Sequence, residues 1–275
     1  EPGAGGALRG ALTGPADPLS SAGTPLSLDV EVAVDRSRRG ALVTVGSRRV
    51  LLGRGEWSDF IPLSFDVAGG LSALSAEVRL YLQRVDPVVL YVSPLNIDPR
   101  DPALPISSPV DFAAHLSRAG GRFYTQGMAE DTKALASGLF SVDEFLDQAR
   151  LVLAQRRRLL EVAMDEFERG FLFFYFSSTD QITHMMFRAH DRSHPARTAA
   201  DEPHADVIRT IYREMDRVLA WTLERLRPAD TLFVMSDHGF GPAGYQFDLN
   251  RWLLQQGYLA LDEQGAIDWS RTQAY

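Results

Sequence analysis

Two stretches, residues 171–184 (FLFFYFSSTDQITH) and residues 231–241 (TLFVMSDHGFG), decide the fold that this sequence predicts. Each starts with a continuous apolar run of strand length and passes directly into polar, ionisable residues. Such runs are typical of strands that are buried on both faces of a parallel sheet. A helical pattern over about residues 205–226 separates them, so strand, helix and strand predict a βαβ unit. Because ligand sites in open parallel sheets lie just beyond the carboxyl ends of the strands, we expect a site where the polar residues begin.

These polar residues contain two carboxylate–histidine pairs. Asp180 and His184 are four residues apart, which places both on one face of a helix, where they can share an ion. Asp237 and His238 are adjacent, and Gly239 follows them and allows the backbone to approach closely. Carboxylate oxygen together with imidazole nitrogen suits zinc, or manganese or iron. For each pair taken alone, the alternative to metal binding is a structural role, since aspartate is also common at helix starts and in loops.

Five of the six histidines lie between residues 184 and 238. Three polar residues of this region, His190, Asp191 and His194, follow the first pair in a predicted loop. They could contact a substrate phosphate or form a second layer around a metal, and the plainer alternative is that they are exposed loop residues. Two metal centres about 3.5–4 Å apart could hold the attacking and leaving oxygens of a phosphoryl displacement.

The N-terminal part of the chain has a different pattern. Residues 1–25 are rich in Gly, Pro, Ala and Ser and predict a linker or loop. From Leu28 onward, apolar and polar residues alternate in successive short runs, which predicts an antiparallel β-rich module over residues 26–108. Residues 109–275 then form the predicted α/β core segment. In this segment the capping-box pattern Ser141–Glu144 begins a long helix that runs towards residue 167.

Composition excludes several classes of function. The 275 residues are 45% hydrophobic and 23% charged, as in ordinary globular proteins. The net charge of −8 argues against a general nucleic-acid or anionic-membrane binder. The absence of cysteine excludes disulfides, thiolate zinc sites and cysteine nucleophiles. With neither an apolar run of about 18 residues nor a signal-peptide pattern, we expect a soluble protein without a membrane span, whose compartment and oligomeric state the sequence does not indicate.

The segments FYFSSTDQITHMMFRAHDRSHP (174–195) and TLFVMSDHGFGP (231–242) resemble the alkaline phosphatase superfamily. More narrowly, they resemble its type I phosphodiesterase/nucleotide pyrophosphatase branch and bacterial phosphohydrolase or phosphomutase relatives. The resemblance extends through LYVSPLNIDPRDPALPISSP (90–109) and FYTQGMAEDT (123–132) and covers roughly residues 55–275. It implies an α/β fold with an alkaline-phosphatase-like parallel-sheet core, present in part, and an inserted antiparallel β-rich cap.

The resemblance also implies a catalytic apparatus with two divalent metal ions, zinc first and manganese or iron as alternatives. Asp180 and His184 would hold one ion, and Asp237 and His238 the other. The family pattern further requires an upstream Asp, an upstream nucleophilic Ser or Thr, and a downstream Gly-x-His segment, none of which is visible here. We therefore expect a fragment that is inactive alone and belongs to a hydrolase of small-molecule phosphate monoesters or diesters.

Two other interpretations stay open. A phosphomutase or a sulfatase of the same superfamily would keep the site and change the reaction. A non-catalytic binding module, in which the α/β half is only structural, belongs to a different class of function. All four metal-ligand residues expected in this span are present, which favours an enzyme over the binding module.

Overall fold

The computed structural model describes residues 7–37, 39–242 and 245–275. The chain divides into two compact units, Glu1–Gln181 and Ile182–Tyr275. The division falls inside one continuous helix, Ser178–His190. Each unit is described by itself below.

The first unit begins with antiparallel β structure. Its strands are β1 (Leu8–Ala16), β2 (Pro25–Asp35), β3 (Gly40–Val45), β4 (Arg48–Gly53), β5 (Ile61–Val67), β6 (Ser72–Val78), β7 (Leu80–Val85) and β8 (Val88–Val92). They form a four-stranded sheet in the order β1-β2-β3-β4 and two hairpins, β5-β6 and β7-β8, and every one of these ladders is antiparallel. Alternation along the strands places Val43, Phe65, Val78 and Leu80 in a shared core, where each is fully buried. The predicted antiparallel strands are confirmed, and the bounds of the module, residues 26–108, stay a prediction.

Strand β1 corrects one prediction. Residues 1–25 predict a loop, and this is wrong for Leu8–Ala16, which pairs with β2 from Leu8↔Val32 onward. Residues 1–6 lie outside the described residues. The glycine-rich composition does not predict this strand. The strand forms because it pairs with β2 and because Leu8 and Leu12 contact the core, and its own strand propensity is low.

Helices follow the strands in the first unit. They are α1 (Phe112–Gly120), α2 (Thr132–Ala136), α3 (Val142–Glu166) and the start of α4 (Ser178–His190). The predicted capping box at the start of α3 is confirmed: the Glu144 N–H donates to Ser141 Oγ, and the Ser141 N–H donates to Glu144 Oε2. The buried face of α3 includes Phe145, Ala149 and Val152, which recur at helical spacing.

The second unit contains the rest of α4, a 3₁₀ helix (Ala199–His204), α5 (Val207–Leu223) and α6 (Leu249–Gln255). Its buried apolar residues include Ile182 and Met186 of α4 and Ile208, Ile211 and Val218 of α5. The helix predicted over about residues 205–226 is confirmed as α5, two to three residues shorter at each end. Among the described residues, no helix combines the length and the apolar character that crossing a membrane requires.

The two predicted buried strands are not strands in this structure. Residues 171–176 and 231–235 are irregular, and within the described residues no parallel ladder is present. Their apolar side chains are largely exposed, with Phe171 at 86% and Phe233 at 80%. A strand persists only where a neighbour accepts and donates its ladder hydrogen bonds, and neither segment is paired with another strand. The fold shown is therefore mixed α/β with small antiparallel sheets, and the described residues show no parallel core.

Candidate metal centre

Helix α4 carries the first predicted ligand pair. It begins at Ser178, two residues after the end of the apolar run, so that Asp180 lies in its first turn and His184 one turn later. The predicted spacing on one helix is thus confirmed. A carboxylate in the first turn also interacts favourably with the positive end of the helix dipole. Asp180 is half-buried and His184 is exposed.

His238 reaches the same place from the loop after residue 235. The rings of His184 and His238 lie 5.7 Å apart between centroids, and Phe240 packs edge-on against both, at 4.8 and 5.3 Å. Nδ1 of His238 lies 3.0 Å from the carbonyl oxygen of Gly239. Because a carbonyl only accepts, Nδ1 is the donor, and a neutral ring in this tautomer presents its lone pair at Nε2. This is the arrangement in which histidine commonly binds metals.

Asp180, His184 and His238 together form a group that could hold a metal ion. One ligand atom from each residue lies within 4.8 Å of the other two. Two ligand atoms that each lie about 2.1 Å from one tetrahedral ion are about 3.4 Å apart, so the side chains need to close by up to about 1.4 Å. Rotation of the two exposed imidazoles can supply this movement. One carboxylate and two imidazoles is a donor set that zinc accepts, as do manganese and iron.

Asp237 is placed differently from the other three predicted ligands. It does not join the group of three among the described residues. Its carboxylate lies 3.8 Å from Nε2 of His238, and its side chain is 86% exposed. The pairing of Asp237 with His238 on a second ion stays a prediction.

The three candidates for substrate or second-layer contacts have local partners. His190 Nδ1 lies 3.4 Å from a backbone carbonyl oxygen. Asp191 accepts hydrogen bonds from the side chain and the backbone of Ser193, which hold its pKa below the ordinary value. His194 Nδ1 accepts from a backbone N–H two residues further on. Within the described chain none of them belongs to the group of three, and their role stays a prediction.

The sequence does not reveal a buried carboxylate beside the start of α4. Glu130, only 4% exposed, accepts hydrogen bonds from Ser177 Oγ at 2.9 Å and from Ser178 Oγ at 2.6 Å. Gln181 Nε2 donates to Asp180 Oδ2 at 2.8 Å. Glu130 belongs to the segment FYTQGMAEDT, but nothing in its local pattern distinguishes a buried glutamate from an exposed one.

Comparison with known proteins identifies the family. The model of the family "Type I phosphodiesterase / nucleotide pyrophosphatase" matches residues 107–275, which is more than half of the chain and includes the group of three. The searches of curated proteins and of solved structures found no match. The match confirms the resemblance on which the four metal-ligand assignments rest. The chain belongs to the type I phosphodiesterase/nucleotide pyrophosphatase family, within the alkaline phosphatase superfamily.

Proposed function

We propose that the protein is a metal-dependent hydrolase of small-molecule phosphate diesters or monoesters. Membership of the family supports phosphoester hydrolysis of the phosphodiesterase/pyrophosphatase type. The observation that carries the proposal is the convergence of Asp180, His184 and His238 to within 4.8 Å, inside the region that matches the family. The donor set of these residues, rather than their number, favours a transition-metal ion of the zinc type.

The proposal uses two divalent ions, preferably zinc. Asp180 and His184 are assigned to one ion, and Asp237 and His238 to the other. The closeness of the imidazoles of His184 and His238 supports this assignment, because neighbouring ions need ligands that lie side by side. When bound, such ions neutralise charge on the phosphoryl oxygens and lower the pKa of bound water.

The remaining parts of the proposal come from the family resemblance. A Ser or Thr on a segment outside this sequence supplies the nucleophile, and a parallel-sheet core completes the fold. The β-rich module, residues 26–108, is proposed as an insertion that influences which esters are accepted.

Neighbouring residues of this chain orient the proposed metal ligands. The Gly239 carbonyl fixes the tautomer and the orientation of the His238 ring. Phe240 packs against both imidazoles and limits the directions in which they can turn. The amide of Gln181 donates to Oδ2 of Asp180 and restrains the orientation of that carboxylate.

Metal titration of the purified chain tests the proposal. Protein treated with a chelator is titrated calorimetrically with Zn²⁺ and with Mn²⁺, and His184→Ala and Asp180→Ala are compared with the wild type. His115→Ala is the matched control, because His115 is also exposed but pairs with Glu166. We expect the first two variants to lose a binding event that the control retains. No binding by the wild type, or equal binding by His184→Ala, would refute the metal site.

Hydrolysis assays separate the reaction classes. Bis(p-nitrophenyl) phosphate, p-nitrophenyl phosphate and p-nitrophenyl sulfate distinguish a diesterase, a monoesterase and a sulfatase when the nucleophile-bearing segment is present. Metal-dependent turnover by residues 1–275 alone would contradict the assignment of the nucleophile to another segment, although the hydrolase proposal would survive.

A further inference from the structure

We propose that Glu130 is a positioning residue for the metal site: it fixes the first turn of α4 and thereby the ligand Asp180. This inference rests on the proposed function of Asp180. It goes beyond that function by assigning a role to a side chain that touches neither metal nor substrate.

The carboxylate of Glu130 accepts hydrogen bonds from two serines at the start of α4. One carboxylate oxygen accepts from Ser177 Oγ at 2.9 Å, and the other accepts from Ser177 Oγ at 3.1 Å and from Ser178 Oγ at 2.6 Å. Ser177 and Ser178 are completely buried. A buried carboxylate that accepts from two hydroxyls of one helix start, one of them shared between both carboxylate oxygens, resists movement of that start, because any shift leaves desolvated polar atoms without partners.

Glu130 is itself held from the side of α3. The buried side chain of Gln148 accepts from the Asp131 N–H at 2.8 Å and donates to the Ala129 carbonyl at 2.9 Å. Tyr91 of β8 donates its hydroxyl to the Asp131 carboxylate at 2.6 Å. The residues on both sides of Glu130 are therefore tied to a long helix and to a strand, so that the carboxylate can act as a fixed support.

The same segment contacts the first turn of α4 a second time. Gln181 Nε2 lies 3.3 Å from the Met128 sulfur and donates to Asp180 Oδ2 at 2.8 Å. Asp180 lies only two residues after Ser178, the residue whose hydroxyl donates to Glu130, and therefore in the same helical turn. Metal sites tolerate deviations of only about 0.2 Å in ligand distance, so movement of this turn is expected to lower metal affinity.

The test is Zn²⁺ affinity, measured by competition with a chromophoric chelator, together with hydrogen exchange of the amides of residues 178–184. The variants are Glu130→Ala, Glu130→Gln and Ser178→Ala. Glu77→Gln is the matched control, because Glu77 is an equally buried glutamate of the same unit whose partners are Asn96 and Arg122.

We expect Glu130→Ala to weaken Zn²⁺ binding by about 10- to 100-fold, the usual effect of losing a residue that orients a ligand. Exchange of the α4 amides should rise in parallel. Glu130→Gln should recover part of the affinity, since its amide oxygen still accepts from a serine hydroxyl. Ser178→Ala removes the shortest hydrogen bond and keeps the carboxylate, so it provides a milder variant if Glu130→Ala does not fold.

The outcomes separate this inference from the proposed function. If the wild type binds no Zn²⁺, the proposed metal site and this inference both fail. If the wild type binds Zn²⁺ and Glu130→Ala and Ser178→Ala bind it equally well, only the role of Glu130 is overturned. An equal loss of affinity in Glu77→Gln would also overturn it, because the effect would then be a general loss of stability.

Discussion

Replacement of Glu77 by glutamine is expected to remove a large part of the pH dependence of stability in the first unit. Glu77 on β6 is fully buried. Asn96 Nδ2 donates to its Oε1 at 2.8 Å, and Arg122 donates to its Oε2 and, at 2.7 Å, to the Asp98 carboxylate. Burial raises the pKa of Glu77 to about 7 from an ordinary value of 4.5, although Asn96 and Arg122 act in the opposite direction.

The direction of the pH effect follows from this raised pKa. Between pH 4.5 and pH 7 the folded state keeps the Glu77 proton that the unfolded state has lost, so the free energy of unfolding falls as the pH rises. The stabilisation is complete below pH 4.5 and is lost as the pH passes through about 7. At 1.36 kcal/mol for each pKa unit, the shift corresponds to about 3 kcal/mol. Glu77→Gln cannot ionise and therefore lacks this contribution.

The measurement is a series of urea titrations between pH 4.5 and pH 7.5, with unfolding of the first unit followed by pulsed hydrogen exchange in residues 72–92. The quantity of interest is the difference in unfolding free energy between the wild type and Glu77→Gln. It should change by about 3 kcal/mol across the range, in the direction that favours the variant at high pH. Asp59→Asn, which neutralises an exposed carboxylate of the same unit, is the control. A difference that stays constant with pH would refute the assignment of the proton to Glu77.

Three further predictions concern α3 and the metal centre. Ser141→Ala removes the capping box of α3 and should lower the free energy of unfolding by about 1 kcal/mol in urea titrations, whereas no change would show that the cap is dispensable. Phe145→Ala leaves a cavity at a completely buried position and should cost about 3–5 kcal/mol by the same measurement; a cost below about 1 kcal/mol would contradict the packing described for α3. Removal of metal with a chelator should lower the melting temperature of the zinc-loaded wild type but not that of His184→Ala, and equal shifts in calorimetry would argue against a site at His184.

The elements that the sequence predicted correctly depend on neighbours a few residues away. Ser141 and Glu144 contact each other across one turn, and the strands from β2 to β8 pair mainly with the next strand along the chain. The residues that predict these elements therefore lie close together in the sequence. The two apolar runs at 171–176 and 231–235 differ, because a parallel strand requires partners that are distant in sequence. Both runs are irregular here and many of their side chains are exposed, so their composition alone could not establish pairing.

In the candidate site, too, the local features were predicted from the sequence and the features that depend on tertiary structure were not. The helical spacing of Asp180 and His184 is a local property, and the sequence predicted it. The approach of His238 depends on tertiary structure, although its position after an apolar run pointed to this place. The burial of Glu130 could not be predicted, since its partners lie 47 and 48 residues away. On composition alone such a glutamate is expected at the surface, and only its three-dimensional contacts show that Glu130 is buried.

Buried polar contacts in the first unit connect its strands to the start of α4. Tyr91 of β8 holds Asp131, the next residue along the chain from Glu130, and Glu130 holds Ser177 and Ser178. Each link joins groups that lose water on folding, so breaking one leaves a partner unsatisfied and strains the next. The first turn of α4 therefore depends on the packing of β8 as well as on α3. Because Asp180 lies in that turn, the packing of β8 contributes to the position of this candidate metal ligand.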